Sequence, residues 1–399
     1  MNTYIPNAAL RKARIAGIND CFEVRYARFA TPDGLEEYHI TLQPDTVAGL
    51  FEKQLAAIER AYADALGVLG LDPDTAVLRR FYCSDPANQS AMLKAHPLGD
   101  NETPCVVSIV GQAPLSSGKI ALCAYHLHTP GKVLATKRTG NTIEYTQGEL
   151  SHYWTTQLTD STAPDSGQQT RDIFENYTRF LDGHHMQLAE HVVRTWLYVR
   201  DVDSNYQGLV EARRTLFSEH GLTADSHYIA STGIEGRAAE APVKVSMDAY
   251  AIGGLMPEQV KYLQAPSQIG PTHLYGVSFE RATTIAFRDR QHIYISGTAS
   301  IDPLGKVLHI GNVLAQLDRA LENIEALLHD ADASLESVAH FIVYLRDPDD
   351  ADNVRRVLDQ RFPSTPTLLT WAPVCRPTWL VEIEAVAMTD YAGEGLPEF

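Results

Sequence analysis

One pattern occurs three times in the sequence, and this repeat constrains the fold more than any other feature. Each copy is an amphipathic helix that carries a Gln, followed by a β-strand that ends in Tyr, two further residues and Asp. The Gln-to-Tyr spacing is 28, 29 and 28 residues, for the pairs Gln54–Tyr82, Gln169–Tyr198 and Gln316–Tyr344. A self-similar period of this kind indicates tandem copies of one structural unit.

The elements within each copy predict the fold class. In the third helix Leu317, Leu321 and Ile324 recur at helical spacing, and the strands that follow the helices are rich in β-branched and aromatic residues. Further strands flank each helix–strand pair, so that each unit has the order ββαβαββ. This order predicts an α/β (α+β) fold of mixed sheets with helices on one face.

Gly-, Pro- and Ser-rich stretches at 128–140 and 264–272 separate the units. We therefore predict three domains, at residues 1–128, 129–265 and 266–399. Because the helices cover only one face of each sheet, the other face must be buried against another element. Three such faces can bury one another around a pseudo-threefold axis, as three chains do in a homotrimer. This intramolecular pseudo-trimer would place clefts between neighbouring units, where small-molecule sites commonly form.

Composition limits the classes of partner. The chain has 399 residues, a hydrophobic share of 44%, and 33 basic against 50 acidic side chains, which gives a formal charge of −17. Such a charge is unfavourable for nucleic acid and anionic membranes. No apolar run approaches the length of a membrane span, and Met1–Ala8 does not read as a signal peptide. The five cysteines lack CxxC spacing, which favours reduced thiols and a cytoplasmic protein.

The third unit carries a family resemblance. The segment His292–Asp302 (HIYISGTASID), the helix of Gln316 and the strand segment Glu382–Ala385 occur in the order found in the RidA/YjgF/UK114 superfamily, some members of which are labelled endoribonuclease L-PSP. Proteins of this superfamily have a chorismate mutase-like fold and are typically homotrimers with ligand sites between subunits. The resemblance therefore implies that this triplicated chain is a fused trimer.

Within the superfamily the last half of the chain is similar to the chorismatases, which have tandem RidA-like units and act on chorismate. The residues that carry this likeness are Arg194–Tyr198, Ser231–Ile234, Tyr275–Gly276, Phe279, Ser296–Ser300, and Cys375–Arg376 followed by Glu382. The imine-deaminase branch usually has an Arg about fifteen residues before the strand Glu. Thr367 occupies that position here, which disfavours simple imine deamination.

Glu382 is the candidate catalytic residue. Alignment of the last strands places it opposite Ala121 and Ser246, so only the third unit has a carboxyl group there. Because side chains alternate along a strand, Glu382 should point away from the helices and toward a neighbouring unit. Burial in a mostly apolar cleft would raise its pKa and keep it protonated as a general acid. A salt-bridged or exposed strand Glu is the alternative.

Seven further residues are candidates for substrate binding. Arg376 and Arg194 are candidate carboxylate clamps, against a surface Arg and a structural ion pair, respectively. Gly297, Thr298 and Ala299 end a strand in small residues, where a ligand can approach or where a bulge can form. Tyr275 either reaches the cleft or is a core residue. Cys375 lines the cleft more plausibly than it acts as a nucleophile.

The sequence gives no zinc-type histidine spacing, no GxGxxG, no Walker loop and no GxSxG elbow, so we expect no metal and no cofactor. The leading hypothesis is a chorismatase-like hydrolase or lyase that releases pyruvate from chorismate, or from a similar small carboxylate, between the second and third units. The alternatives are a RidA-like enamine/imine deaminase or hydrolase and a non-catalytic metabolite-binding module. The protein would be a monomeric pseudo-trimer or a homodimer of it.

Overall fold

A computed structural model describes residues 9–17, 21–31, 34–45, 49–99 and 104–399. The expectation about Met1–Ala8 lies outside these residues. No helix among them has the length and apolarity needed to cross a membrane.

The elements follow the predicted triplication. The first group contains β1 (Ala9–Ile15), β2 (Phe22–Ala30), β3 (Glu36–Pro44), α1 (Phe51–Leu69), β4 (Ala76–Cys83), α2 (Pro86–Lys94), β5 (Val106–Val110), β6 (Ala113–Pro114) and β7 (Ile120–His128). The second contains β8 (Thr136–Thr139), β9 (Thr142–Gln147), β10 (Leu150–Thr159), α3 (Ser166–Gly183), α4 (Leu188–His191), β11 (Val192–Val199), α5 (Val202–Glu219), β12 (Ala230–Glu235) and β13 (Val245–Gly253). The third contains β14 (Val260–Leu263), β15 (Ala282–Ala286), β16 (Arg290–Ala299), α6 (Val313–His329), β17 (Val338–Leu345), α7 (Ala351–Arg361), β18 (Thr367–Trp371) and β19 (Val381–Asp390).

The strands form three mixed sheets, in the orders β1-β2-β3-β7-β4-β5, β12-β11-β13-β10-β9-β8 and β14-β15-β16-β19-β17-β18-β6. Two strands cross the predicted unit boundaries. The edge strand β14 precedes residue 265 but pairs with β15 of the third sheet, and the two-residue β6 pairs with β18. Both add to a free sheet edge, because the unpaired backbone groups of an edge accept another strand. The three-domain division stays a prediction.

The recurring Gln ties each helix to the last strand of its unit. In each unit, the side-chain Oε1 of this Gln accepts a hydrogen bond from the backbone N–H of the residue directly before that strand. The pairs are Gln54–Lys119 (2.7 Å), Gln169–Lys244 (2.7 Å) and Gln316–Leu380 (2.8 Å). All three Gln side chains are buried. A buried polar side chain requires a partner, and this shared contact accounts for the Gln in every repeat.

Each sheet buries both faces. One face packs against the helices: α1 contacts β7, α3 contacts β13, and α6 contacts β16 and β19. The opposite faces meet one another in a core shared by all three sheets, to which the recurring tyrosines contribute, namely Tyr82, Tyr198 and Tyr344. The repeated Tyr therefore belongs to the centre of the molecule, where the units meet.

The three units close into a ring. Buried ion pairs join the first unit to the second, the second to the third and the third to the first, through Arg80–Asp248 (2.9 Å), Arg194–Glu384 (2.9 Å) and Arg290–Glu37 (2.6 Å). A linear array would leave the first and third units apart. The contact between those two units therefore establishes the pseudo-trimer that the repeat predicts.

Strand register confirms the alignment of the last strands. The recurring tyrosine lies opposite the aligned position in every unit, in the pairs Tyr82–Ala121, Tyr198–Ser246 and Tyr344–Glu382. Each tyrosine strand also has an irregularity at the same place, near its first residues. The third unit is thus the one that carries a carboxyl group at this position.

Candidate active site

Glu382 faces a cavity at the seam between the second and third units. It lies on β19, where its neighbours Val381 and Ile383 are fully buried and Glu382 itself is 5% exposed. Thr232, on β12 of the second unit, lies close by. Within the described part of the chain, no group donates a hydrogen bond to the Glu382 carboxyl. The carboxyl group is therefore buried, without a hydrogen-bond donor among the described residues, and turned toward the neighbouring unit.

Burial raises the pKa of Glu382, the negative charge of Glu384 adds to this effect, and Arg194 and Arg281 oppose it, so that the pKa is about 8. Removing a carboxylate from water disfavours its charged form. A carboxyl group with a pKa of about 8 is protonated at neutral pH. A protonated acid beside a cavity is suited to proton donation.

The cavity has about 530 Å³ of empty space. Its wall combines residues of the second unit with residues of the third: Tyr206, Arg213, Ser231, Gly233, Tyr275, Val277, Phe279, Arg281, Gly297, Ala299, Ile301, Cys375, Arg376, Trp379 and Glu382. The second and third units therefore enclose a cavity between them, and a cleft between domains is a common place for a small-molecule site.

Arg213 supplies a buried positive charge from α5. Its side chain is 1% exposed, and its Nε and Nη2 atoms have no hydrogen-bond partner among the described residues. Nη1 lies 3.4 Å from Ser231 Oγ. Burial lowers the pKa of Arg213. A buried guanidinium with unused donors is costly unless an anion completes it, so this residue points to an anionic ligand.

Two further guanidinium groups approach the cavity from the third unit. Arg281 donates from Nε and Nη2 to the carbonyl of Gly270, both at 3.0 Å. Arg376 lies over the rings of Tyr275 and Trp379, with its Cζ 5.1 and 4.9 Å from the ring centres. Three arginines line the cavity, namely Arg213, Arg281 and Arg376. Within the described ranges, none of them forms an ion pair with a carboxylate. The site therefore has an excess of positive charge.

Glycine makes room for the acid. A Cβ atom at Gly297 would lie 2.1 Å from Glu382 Oε1, and one at Gly233 would lie 3.1 Å from the Tyr206 ring. Gly297 falls in the register irregularity between Ile295 and Thr298, which is the bulge that the sequence left as one interpretation of this segment.

The structure brings six of the eight predicted site residues together. The residues that line the same cavity are Tyr275, Gly297, Ala299, Cys375, Arg376 and Glu382. Tyr275 lies in a short turn, and burial raises its pKa. Burial also raises the pKa of Cys375 to about 12, which leaves a thiol that lines the cavity and is a poor nucleophile.

Arg194, which the sequence predicts to bind substrate, is not among the residues that line the cavity. Arg194 is fully buried behind the cavity, where Nη2 donates to Glu384 Oε2 at 2.9 Å and to Thr232 Oγ1. Glu384 also accepts from Trp196 Nε1 at 3.0 Å. The buried cation found a structural partner on the neighbouring unit. This ion pair was the alternative that the sequence left open.

Thr298, another residue predicted to bind substrate, does not line the cavity either. Its side chain is fully buried, and Oγ1 donates to the Ser296 carbonyl at 2.8 Å. Strand alternation turns Thr298 away from the face that Gly297 presents to the cavity.

Four further residues that line the cavity were not predicted from the sequence, namely Arg213, Arg281, Tyr206 and Trp379. A signal was present for Arg213, because it occupies an inward position of an amphipathic helix, between Leu209 and Leu216. An Arg at a core-facing helix position requires a partner or a ligand. Arg281 carries a weaker signal, since it directly precedes the apolar strand β15.

Comparison with known proteins agrees with this architecture. Residues 282–389 match the family described as Endoribonuclease L-PSP. A RutC family protein of Pyrococcus abyssi is 30% identical over 126 residues, which are 31% of this chain and 91% of that protein. The 3-aminoacrylate deaminase RutC of Acinetobacter baylyi is 32% identical over 24% of this chain and 77% of its own length. The chain therefore belongs to the RidA/YjgF/UK114 family, in a triplicated form.

Two matches extend beyond a single unit. A chorismatase of Streptomyces hygroscopicus is 28% identical over 222 residues, which are 49% of this chain and 61% of that protein. A crystal structure of a chorismatase covers 88% of this chain and 98% of its own, with a TM-score of 0.60 and 18% sequence identity. That structural likeness shows that the two proteins share a fold.

Proposed function

We propose that this protein is a chorismatase-like enzyme that releases pyruvate from chorismate, or from a similar small carboxylate, in the cavity between the second and third units. The observation that carries the proposal is that one cavity is lined both by Glu382, an acid that burial keeps protonated, and by Arg213, a buried cation with unused donors among the described residues. The alignment with a chorismatase over about half the chain supports the same reading.

The substrate chemistry fits these groups. Chorismate carries two carboxylates and an enolpyruvyl ether. The three cavity arginines would bind the carboxylates, because a guanidinium binds a carboxylate through two parallel hydrogen bonds. Arg213 has two N–H-bearing atoms available for such a contact, and Arg281 and Arg376 are free of carboxylate partners in the described part of the molecule.

Glu382 would act as general acid. Its proton adds to the terminal CH₂ carbon of the enolpyruvyl group, which becomes a methyl group and leaves an oxocarbenium ion at the ether carbon. Water adds to that carbon, and the Glu382 carboxylate regains a proton. The bond between this carbon and the ether oxygen then breaks, the hemiketal hydroxyl loses its proton and the ether oxygen gains one, which gives pyruvate and the ring alcohol. General acid catalysis of this kind contributes about 100- to 10,000-fold in rate.

Pyruvate release from chorismate by the purified protein tests this function. We expect Glu382→Gln to lower the rate about 100- to 10,000-fold, because Gln fills the same space without an acidic proton. Ser246→Ala is the matched control, since Ser246 occupies the aligned position of the second unit and should have little effect on the rate. Absence of pyruvate with the native protein would overturn the proposal.

A second candidate is an enamine or imine deaminase, which the likeness to a 3-aminoacrylate deaminase favours. The same protonated carboxyl can donate a proton to the carbon of an enamine, after which water displaces ammonia. Thr367, at the position where an Arg is usual in that branch, is buried in β18 and does not line the cavity. Ammonia release from 2-aminoacrylate, without pyruvate release from chorismate, would favour this candidate. Binding of chorismate without turnover of either compound would leave a metabolite-binding module.

A further inference from the structure

A second cavity lies at the centre of the molecule, where the inner faces of the three sheets meet. It has about 500 Å³ of empty space and shares no lining residue with the Glu382 site. All three units contribute to it, through Glu37, His39, Leu78, Arg80, Cys123, Tyr125, Trp154, Trp196, His292, Tyr294, His340, Val386 and Met388.

The cavity arises where the pseudo-threefold symmetry fails. The positions that pair with the central strands are Tyr125 in the first unit, Tyr250 in the second and Val386 in the third. The Tyr250 ring stacks on Trp154 with centres 4.3 Å apart, and the Tyr125 ring stacks on His39 at 4.8 Å. Val386 has no ring, and it lines the cavity together with Tyr294, the residue opposite it in the strand pairing.

The charged groups in the wall are already neutralised. Arg80 donates to Asp248 Oδ2 from Nε at 3.1 Å and from Nη2 at 2.9 Å. Glu37 accepts from Arg290 at 2.6 Å and also contacts His292 at 2.8 Å. An ion in this buried space would bring a charge without a counter-charge, which is costly. The cavity therefore suits an uncharged molecule.

The remaining wall is aromatic, with two polar atoms that lack partners. Trp154, Trp196 and Tyr294 present ring surfaces, which favour stacking with another ring. His340 Nδ1 and Trp154 Nε1 are buried, and neither forms a hydrogen bond within the described ranges. Burial lowers the pKa of His340 well below its usual value, so its imidazole is neutral and one ring nitrogen is an acceptor. A ligand hydroxyl can donate to that nitrogen or accept from the indole N–H.

We propose that this central cavity is a second binding site, for an uncharged single-ring aromatic molecule with a hydroxyl group. The ring would take the place of the phenol that Val386 lacks, among Trp154, Trp196 and Tyr294. The hydroxyl would reach the unpartnered nitrogen atoms of His340 and Trp154. This site is separate from the proposed reaction, because Glu382 and the three cavity arginines lie in the other cavity.

Titration with 4-fluorophenol, followed by ¹⁹F NMR and calorimetry, tests the proposal. We expect one molecule to bind in the central cavity of the native protein. Val386→Tyr restores the residue that the other two units carry and should weaken binding about tenfold or more, because the ring fills the ligand's space. Its pyruvate release from chorismate should match that of the native protein. Equal 4-fluorophenol affinity in the native protein and in Val386→Tyr would overturn the proposal.

A crystal soak covers the case in which Val386→Tyr does not fold. Native crystals exposed to 4-fluorophenol should show a ring between Trp154 and Val386, with its hydroxyl near His340 Nδ1 or Trp154 Nε1. Only water in that space, with 4-fluorophenol in solution at millimolar concentration, would contradict the assignment.

Discussion

The Glu382 carboxyl lies directly against the backbone of Gly297, so that a Cβ atom there would stand 2.1 Å from Glu382 Oε1. No contact of that length exists between real Cβ atoms and oxygen. The absent side chain of Gly297 therefore sets where the acid points. The two residues lie on adjacent strands of one sheet, β16 and β19, so the sheet itself fixes their relationship.

Gly297→Ala should displace the Glu382 carboxyl while it preserves the fold, because the atom in conflict is the end of a flexible side chain. We expect pyruvate release from chorismate to fall about 100-fold or more, with a melting temperature near that of the native protein. Gly67→Ala is the matched control, because Gly67 lies on α1 of the first unit and a Cβ atom there would meet nothing within 4 Å. Full activity in Gly297→Ala would show that the position of Glu382 is unimportant.

The reaction should lose rate at high pH. Since burial raises the pKa of Glu382 to about 8, the acid is protonated below that pH and loses its proton above it. The rate constant for pyruvate release should therefore be constant below about pH 8 and fall about tenfold per pH unit above it. The residual activity of Glu382→Gln should lack this descent. A rate that rises through pH 8 would mean that Glu382 acts as a base.

The ion pair behind the site should shift that pH profile. The charge of Glu384 raises the pKa of Glu382, and the charge of Arg194 lowers it. Glu384→Gln should therefore move the alkaline descent to lower pH, and Arg194→Met should move it to higher pH. Each variant also leaves a buried partner unpaired, which costs about 3–5 kcal/mol of stability. Profiles that move in the same direction for both variants would contradict this electrostatic role.

Arg213→Met should weaken substrate binding without destabilising the protein. The substitution removes a carboxylate contact, so we expect the KM for chorismate to rise about 10- to 100-fold. It also removes a buried cation with two unpartnered nitrogen atoms, so the melting temperature should not fall. Arg214→Met is the control, because the next residue on α5 is exposed. An unchanged KM would remove Arg213 from the site.

The repeat in the sequence predicted most of the fold and indicated Glu382 as the candidate acid. Gln54, Gln169 and Gln316 recur because each makes the same buried contact, and the alignment of the last strands identified Glu382 by comparison with Ala121 and Ser246. Because every unit makes this contact within itself, the same residue recurs at the same place in each unit, and the repeat is visible in a single sequence.

Contacts between side chains of different units leave no such repeated pattern in the sequence. Arg194 and Arg213 are both buried arginines at inward positions, and the sequence does not distinguish them. Arg194 pairs with Glu384 from another unit, whereas Arg213 has no carboxylate partner among the described residues. The difference depends on which side chain the neighbouring unit presents, about 190 residues further along the chain, and local pattern cannot report it.

The tether from helix to last strand has a consequence for how new chemistry arises in this architecture. The anchored N–H groups of Lys119, Lys244 and Leu380 each stand two residues before Ala121, Ser246 or Glu382. The main chain is thus held in place at that point in every unit, whatever side chain follows. A seam whose aligned position has no carboxyl group can therefore gain one by a single substitution, without any change in the loops. The fold tolerates the gain or loss of function at one seam at a time.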